Sequence, residues 1–318
     1  MKKILVTGAL GQIGSELIMH MRNIYGADNV VASDIRRIDG NPAVESGPFE
    51  ILDVLDAKRM AEVAKSHNVD TIIHLAALLS AVAEAKPTLA WEINMGGLFN
   101  ALEVARELNT KFFTPSSIGA FGPATPKDKT PQDTIQRPQT MYGVTKVSGE
   151  ILCDYYFKRF GVDTRGVRFP GLISYVTPPG GGTTDYAVDI YYEALKNKKY
   201  TSFINEGTYM DMMYMPDALN AIVNLMEADP SKLIHRNAFN ITAMSFEPSQ
   251  IAAEIKKHIP EFEMSYNVDP VRQAIADSWP NSIDDTAARQ EWGFTTKYDL
   301  ASMTADMLEK LRKQLNIK

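Results

Sequence analysis

Thr7-Gly8-Ala9-Leu10-Gly11-Gln12-Ile13-Gly14 lies between an apolar run at 2–7 (KKILVT) and an apolar-periodic segment at 12–25. The first reads as a buried strand and the second as a helix, so the glycines occupy a strand-to-helix turn. In G-x-x-G-x-x-G spacing, glycine lets the backbone turn tightly, lets a pyrophosphate approach the amides and lets the helix pack on the sheet. The helix N-terminus adds partial positive charge. Glycine turns also occur without a ligand, so the flanking strand and helix carry the functional reading.

Beyond this turn, 29–33, 49–52, 69–75, 111–115 and 163–169 read as strands, separated by helical stretches at 56–67, up to 108, and 140–160. Alternating strands and helices joined by right-handed crossovers predict an α/β fold, a doubly wound parallel (Rossmann) sheet with helices on both faces. After Pro170 the alternation weakens. Pro178–Gly182 (PPGGG) resists regular structure and reads as a functional loop, with a solvated linker as the alternative. Helices are expected at 185–196, 216–228, 248–258 and 300–315. The expected organisation is a dinucleotide-binding domain over 1–173, with later segments returning to it, and a smaller, mostly helical substrate lobe over 174–318.

The 318 residues carry 33 Lys+Arg against 39 Asp+Glu, a net charge of −6, and are 45% hydrophobic. That excludes a disordered chain, a collagen and a disulfide scaffold, and allows one large domain or two smaller ones. Without a clustered basic surface, nucleic acid and anionic lipid are not expected partners. No repeat or apolar span of about 18 residues is present. Cys153 is the sole cysteine, and the strand pattern begins within three residues of the N-terminus, so the expected location is the cytoplasm. Eleven residues after Tyr142 in one predicted helix, Cys153 reads as a buried, inert thiol. The histidines at 20, 67, 74, 235 and 258 lack ligand spacing, so no metal is expected.

Asp34, 20 residues beyond Gly14, ends the second strand where a carboxylate can accept from ribose hydroxyls. It favours NAD over NADP, with Arg36 and Arg37 close by; the plainer alternative is a strand terminus. Asp53 suits either an adenine contact or a helix cap. Tyr142 and Lys146 are four apart on a predicted helix and share a face. A free tyrosine titrates near pH ~10, and a neighbouring ammonium favours its phenolate, making it a usable acid or base. Ser116 and Ser117 end a strand at the carboxyl edge, where a hydroxyl either orients a reacting oxygen or serves the turn. The methionines around 210–215 read as filling between lobes.

With these features together, the chain resembles the extended short-chain dehydrogenase/reductase superfamily, which contains nucleotide-sugar epimerases. The matching segments are TGALGQIG (7–14), SD (33–34), HLAA (74–77), PSSIGAFGP (115–123), YGVTK (142–146) and RFPGLI (168–173). The resemblance implies Tyr142 as catalytic acid/base, Lys146 as its activator and Ser117 as the third hydroxyl. It places NAD against Gly8, Gly11, Gln12, Ile13, Gly14, Asp34, Ile35, Arg36, Asp53, Val54, Leu75, Ala76, Ala77, Asn94, Pro115, Ser116, Tyr142, Lys146 and Phe169. Members that bind nucleotide sugars carry an arginine ahead of the second-lobe helix; Met210 stands there, which argues for a small substrate.

HLAALLSA (74–81), PGGGTTDYA (179–187) and SWPNSIDD (278–285) resemble the superfamily's short-chain L-threonine 3-dehydrogenases. That likeness implies that Ser80, Ser117, Tyr142, Thr183, Thr184 and Trp279 enclose the amino acid, with Asp185 close by. Trp279 also suits a packing role. The implied reaction is NAD-dependent oxidation of L-threonine at its β-carbon to 2-amino-3-oxobutanoate, in a homodimer paired through helices near 94–108 and 140–160. The rival readings are a nucleotide-sugar epimerase or reductase, and a non-catalytic NAD sensor.

Overall fold

The computed structural model describes residues 1–178, 180 and 182–317. Pro179 and Gly181, part of the expected loop, lie outside them. The first half runs β1 (Ile4–Thr7), α1 (Gln12–Tyr25), β2 (Val30–Asp34), α2 (Pro42–Glu45), β3 (Phe49–Ile51), α3 (Ala57–Ser66), β4 (Thr71–His74), α4 (Ser80–Ala85), α5 (Pro87–Trp91), α6 (Gly97–Leu108), β5 (Lys111–Phe113), β6 (Ser116–Ser117), α7 (Met141–Phe160) and β7 (Thr164–Arg165). All four residues of β1 are buried, as expected for a central parallel strand covered on both faces. The sheet order is β3-β2-β1-β4-β5-β7, with every pair parallel. Thr7 aligns with both Ser33 and His74, so the strand ends are level where the order reverses around β1. That reversal is where open α/β sheets bind ligands.

The second half contains β8 (Val167–Phe169), β9 (Gly171–Ile173), α8 (Tyr186–Asn197), β10 (Lys199–Ser202), β11 (Met210–Tyr214), α9 (Met215–Glu227), β12 (Phe239–Asn240), β13 (Met244–Phe246), α10 (Pro248–Lys256), β14 (Glu263–Tyr266), α11 (Pro270–Ser278), α12 (Thr286–Trp292) and α13 (Leu300–Leu315). Residues 163–169, expected as one strand, are two. β7 closes the main sheet, while β8 sits between β6 and β12 in another. Gly166 makes the break: a Cβ there would lie 2.6 Å from the Thr114 carbonyl oxygen, and its amide turns to the Arg236 carbonyl at 3.2 Å. The lobe is also less helical than expected, since β13-β11-β9 and β10-β14 form small sheets within it.

The two faces of the main sheet bury separate cores. Ile4 and Val6 pack on the α1 side with Leu17, Phe113 and Phe239, and Leu5 packs on the other with Met60, Leu102 and Tyr156. Helix α9, β12 and α12 return to the α1 side. β11 alternates between cores: Met210, Met212 and Tyr214 join the second-lobe core, while Met213 joins the α1-side core. Ile118 and Phe121, which precede residue 173, also belong to the second-lobe core. Among the described residues no helix is long and apolar enough to cross a membrane.

Candidate active site

Gly8 follows β1 with φ +69°, and a Cβ on it would lie 2.7 Å from the Ala76 amide nitrogen. On Gly14 a Cβ would lie 2.3 Å from the Gly8 carbonyl oxygen. Only glycine permits this approach of turn, helix and neighbouring strand. Helix α1 begins at Gly11 with no side-chain cap and no acidic residue in its first turn. Its leading amides therefore present donors and partial positive charge to an anion. Asp34 braces the turn, accepting from Leu10 N through Oδ2 at 3.0 Å and from Ile35 N through Oδ1 at 2.9 Å. Arg37 is paired with Asp39 at 2.9 Å and Glu45 at 3.3 Å. Asp53 does not cap α3: it accepts from Leu55 N at 2.9 Å, and Asp56 is the cap, accepting from Arg59 N at 2.9 Å.

Helix α7 starts at Thr140, whose hydroxyl accepts from Gly143 N at 3.1 Å, while the Glu84 carboxylate accepts from Met141 N at 2.5 Å. A Cβ on Gly143 would lie 2.3 Å from the Gly119 carbonyl, and one on Gly119 would lie 3.2 Å from the Tyr142 ring. These two glycines press the helix start against the turn that follows Ser117. Ser117 Oγ accepts from Gly119 N at 3.1 Å. Lys146 Nζ donates to the Pro115 carbonyl at 2.7 Å and lies 5.4 Å from the Tyr142 ring centroid. Behind it His74 is buried, and burial together with the Lys146 charge pushes its imidazole down to about 3, so it is neutral at physiological pH.

A cavity of about 480 Å³ joins these parts. Gly8, Gly11, Gln12, Ile13, Gly14, Leu75, Ala77, Pro115, Ser116 and Phe169 line it with Ser117, Tyr142, Lys146, Ser80, Thr183, Thr184, Asp185 and Trp279. Asp34, Ile35, Arg36 and Asp53 lie outside this wall, at the ends of β2 and β3. The Val54 side chain is buried, and a Cβ on Gly97 would lie 2.7 Å from it. Ala76 and Asn94 line a separate cavity of about 30 Å³ behind Lys146. The Asn94 amide is committed to Leu78 N at 2.7 Å, Leu78 O at 3.1 Å and Thr145 Oγ1 at 3.2 Å. It sits in the π-helical turn Glu92–Gly96 and fixes the loop after β4 rather than facing the large cavity.

Asp185 Oδ2 accepts from Gly180 N at 2.8 Å and Gly182 N at 2.7 Å, folding the segment that carries Thr183 and Thr184. Gly171 leaves room for Thr184, whose Cγ2 would lie 2.7 Å from a Cβ there. Trp279 is both a core residue and part of the wall. Leu79, Val82 and Leu172 also line the cavity and were not singled out in the sequence, although Leu79 and Leu172 fall inside the matching segments at 74–81 and 168–173. Lys146 and Asp185 are the only formally charged side chains among the described lining residues. Met210 is fully buried in the second-lobe core, away from the wall.

Over residues 4–242 the sequence matches the NAD dependent epimerase/dehydratase family. An uncharacterized epimerase/dehydratase of Staphylococcus aureus (strain USA300) is 62% identical over 318 residues, 100% of this chain and 99% of the relative. An L-threonine dehydrogenase from Clostridium difficile, solved by X-ray, is 71% identical over 99% of this chain and 98% of its own, with a TM-score of 0.98. A monomeric L-threonine 3-dehydrogenase from a metagenome database, in apo form, is 44% identical over 98% and 99% of the two chains, with a TM-score of 0.93. With its uncapped glycine turn, its strand order and these likenesses, the chain belongs to the NAD dependent epimerase/dehydratase family and is an oxidoreductase whose cofactor is NAD.

Proposed function

We propose that this protein is an L-threonine 3-dehydrogenase that oxidises the β-carbon of L-threonine to give 2-amino-3-oxobutanoate. The observation that carries the reading is the 71% identity to a solved L-threonine dehydrogenase across nearly the whole of both chains. The cavity supports it. Beyond the glycine turn, its described wall carries no arginine to pair with the diphosphate of a sugar nucleotide, which favours a small substrate.

The residues fit NAD. The uncapped first turn of α1 would hold the pyrophosphate, Asp34 would accept from the adenosine ribose, and Leu75, Pro115 and Phe169 would lie along the nicotinamide half. When bound, NAD supplies the acceptor for the hydride. Tyr142, as phenolate, takes the β-hydroxyl proton; Lys146 stabilises that phenolate; Ser117 holds the substrate oxygen in line by donating a hydrogen bond. Ser80, Thr183 and Thr184 offer hydroxyls to the amino-acid end, and Trp279 closes the wall.

The direct test is purified protein with L-threonine and NAD, followed by NADH absorbance. Steady NADH formation supports the assignment; turnover of a UDP-sugar without net NADH would overturn it in favour of the epimerase reading that the name of the S. aureus relative suggests. We also propose a homodimer. Ile151 and Tyr155 on α7, Phe99 on α6 and Trp91 on α5 are exposed, and a second copy of the chain would cover them.

A further inference from the structure

We propose that Glu150 and Arg168 form an internally neutral pair that positions the Pro115–Ser117 strand end against α7 and balances the charge felt by Tyr142 and Lys146. The proposal rests on the dehydrogenase reading for the roles of those two residues.

Lys146 and Glu150 are one turn apart on one face of α7. They grip consecutive residues: Lys146 Nζ donates to the Pro115 carbonyl at 2.7 Å, and Ser116 Oγ donates to Glu150 Oε1. The next residue, Ser117, lines the large cavity. Ser116 is the register partner of Arg168 in β8. Arg168 returns to the same carboxylate, Nε to Oε1 at 3.0 Å and Nη2 to Oε2 at 2.8 Å, and Gln136 donates to Oε2 at 2.8 Å. The remaining guanidinium contacts are Nη1 to the Gln132 carbonyl at 2.8 Å and to Asn240 Oδ1 at 3.0 Å, with the group 5.0 Å from the Phe121 ring centroid. The two side chains are 8% and 7% exposed. One carboxylate therefore ties α7, β6, β8 and the 132–136 segment together directly behind the serine.

Burying two ions is costly, and an apolar pair of the same volume often holds a fold as well. Here charge balance gives the pair a task. The other ionisable groups around Tyr142 and Lys146 are few: neutral His74 from β4, Cys153 on α7 with its thiol pushed up by burial, Glu84 from α4 at the helix start, and Asp185 with its Oδ2 engaged by backbone amides. Glu150 lies about 6 Å from Lys146 and about 12 Å from Tyr142 along the helix axis. Either member left alone would place an uncompensated charge within coupling range of the base.

The variants Glu150→Gln, Arg168→Gln and the double variant test this. Glu150→Gln leaves a buried cation, which favours phenolate, and the acid limb of the kcat–pH profile should move to lower pH by about half a unit to one unit. Arg168→Gln leaves a carboxylate still held by Ser116 and Gln136, and the limb should move to higher pH. The double variant should return it to the wild-type position, and NAD affinity should change little throughout. A second readout needs neither cofactor nor turnover: the near-ultraviolet phenolate absorbance of each protein, minus that of its Tyr142→Phe counterpart, should shift in the same opposed directions. Shifts of one sign in both single variants, or lost turnover with no shift, would overturn the proposal and leave a plain structural strut. Where a glutamine variant does not fold, Glu150→Asp and Arg168→Lys keep the charges. They should lower kcat without moving the limb, and a moved limb would overturn the proposal. A wild-type protein that forms no NADH from L-threonine fails the functional reading instead, while the absorbance titration still decides the role of the pair.

Discussion

Tyr142 carries the only phenol among the described residues of the large cavity wall. Its hydroxyl can be deleted without disturbing the ring that packs on Gly119. Tyr142→Phe should therefore lower turnover by about 10²–10⁴-fold while leaving the dissociation constant for NAD, from fluorescence titration, within a few-fold of wild type. Retained turnover would mean that another group moves the proton. Gly14→Ala tests the opposite end of the cavity. Its Cβ would sit 2.3 Å from a backbone oxygen that has no rotamer to yield, so NAD affinity and melting temperature should fall together. Both sites were legible in the sequence because each rests on local spacing, a turn or one helical repeat. Glu150 was not, although it continues the Tyr142–Lys146 face by another turn. A lone carboxylate on a helix reads as solvent-facing until Arg168, distant in sequence, is seen beside it.

The longer helices and the five strands from β1 to β5 were legible for the same reason: periodicity and flanking turns are written within each segment. The small sheets were not. β8 pairs with β12 across some seventy residues and β9 with β11 across some forty, so the pairing is written in neither segment alone, and no strand–helix alternation frames these strands as it does β1 to β5. The outer face of α7 is the exception among long elements. Its length was evident, but its pattern is blurred because apolar side chains lie on both sides: Cys153 and Tyr156 face inward, while Val144, Ile151 and Tyr155 are exposed. If that second face meets another copy, Ile151→Asp should convert a particle of twice the 35.3 kDa chain mass into a monomer in light scattering, with NAD binding retained. A wild-type protein already at the monomer mass would remove the dimer proposal and align this chain with its monomeric relative.

Across the whole molecule, two buried groups pull stability in opposite directions with pH. His74 is held at about 3 against an ordinary 6.5, with burial the main cause. The unfolded chain binds that proton first, so this contribution is full above about 6.5 and is lost as pH falls toward 3. Burial raises Asp211 from 3.8 to about 7, partly offset by hydrogen bonds from Thr242 and the Ile283 backbone. Its contribution is full below 3.8 and is lost as pH rises through 7. Each full shift corresponds to about 4–5 kcal/mol, and between pH 4 and 6.5 their slopes oppose. His74→Gln should leave a protein whose denaturation midpoint falls from pH 4 to 7, and Asp211→Asn one whose midpoint rises over the same interval. Parallel curves for both variants and wild type would show that neither group titrates differently in the folded state.

β11 makes any division of this molecule difficult. Its odd and even side chains are sewn into different interiors, so neither half could be excised and keep its filling. A chimaera that grafts a foreign substrate lobe onto this nucleotide half must supply a strand whose two sides satisfy two hosts at once, and a swap designed from one interior alone would leave the other hollow.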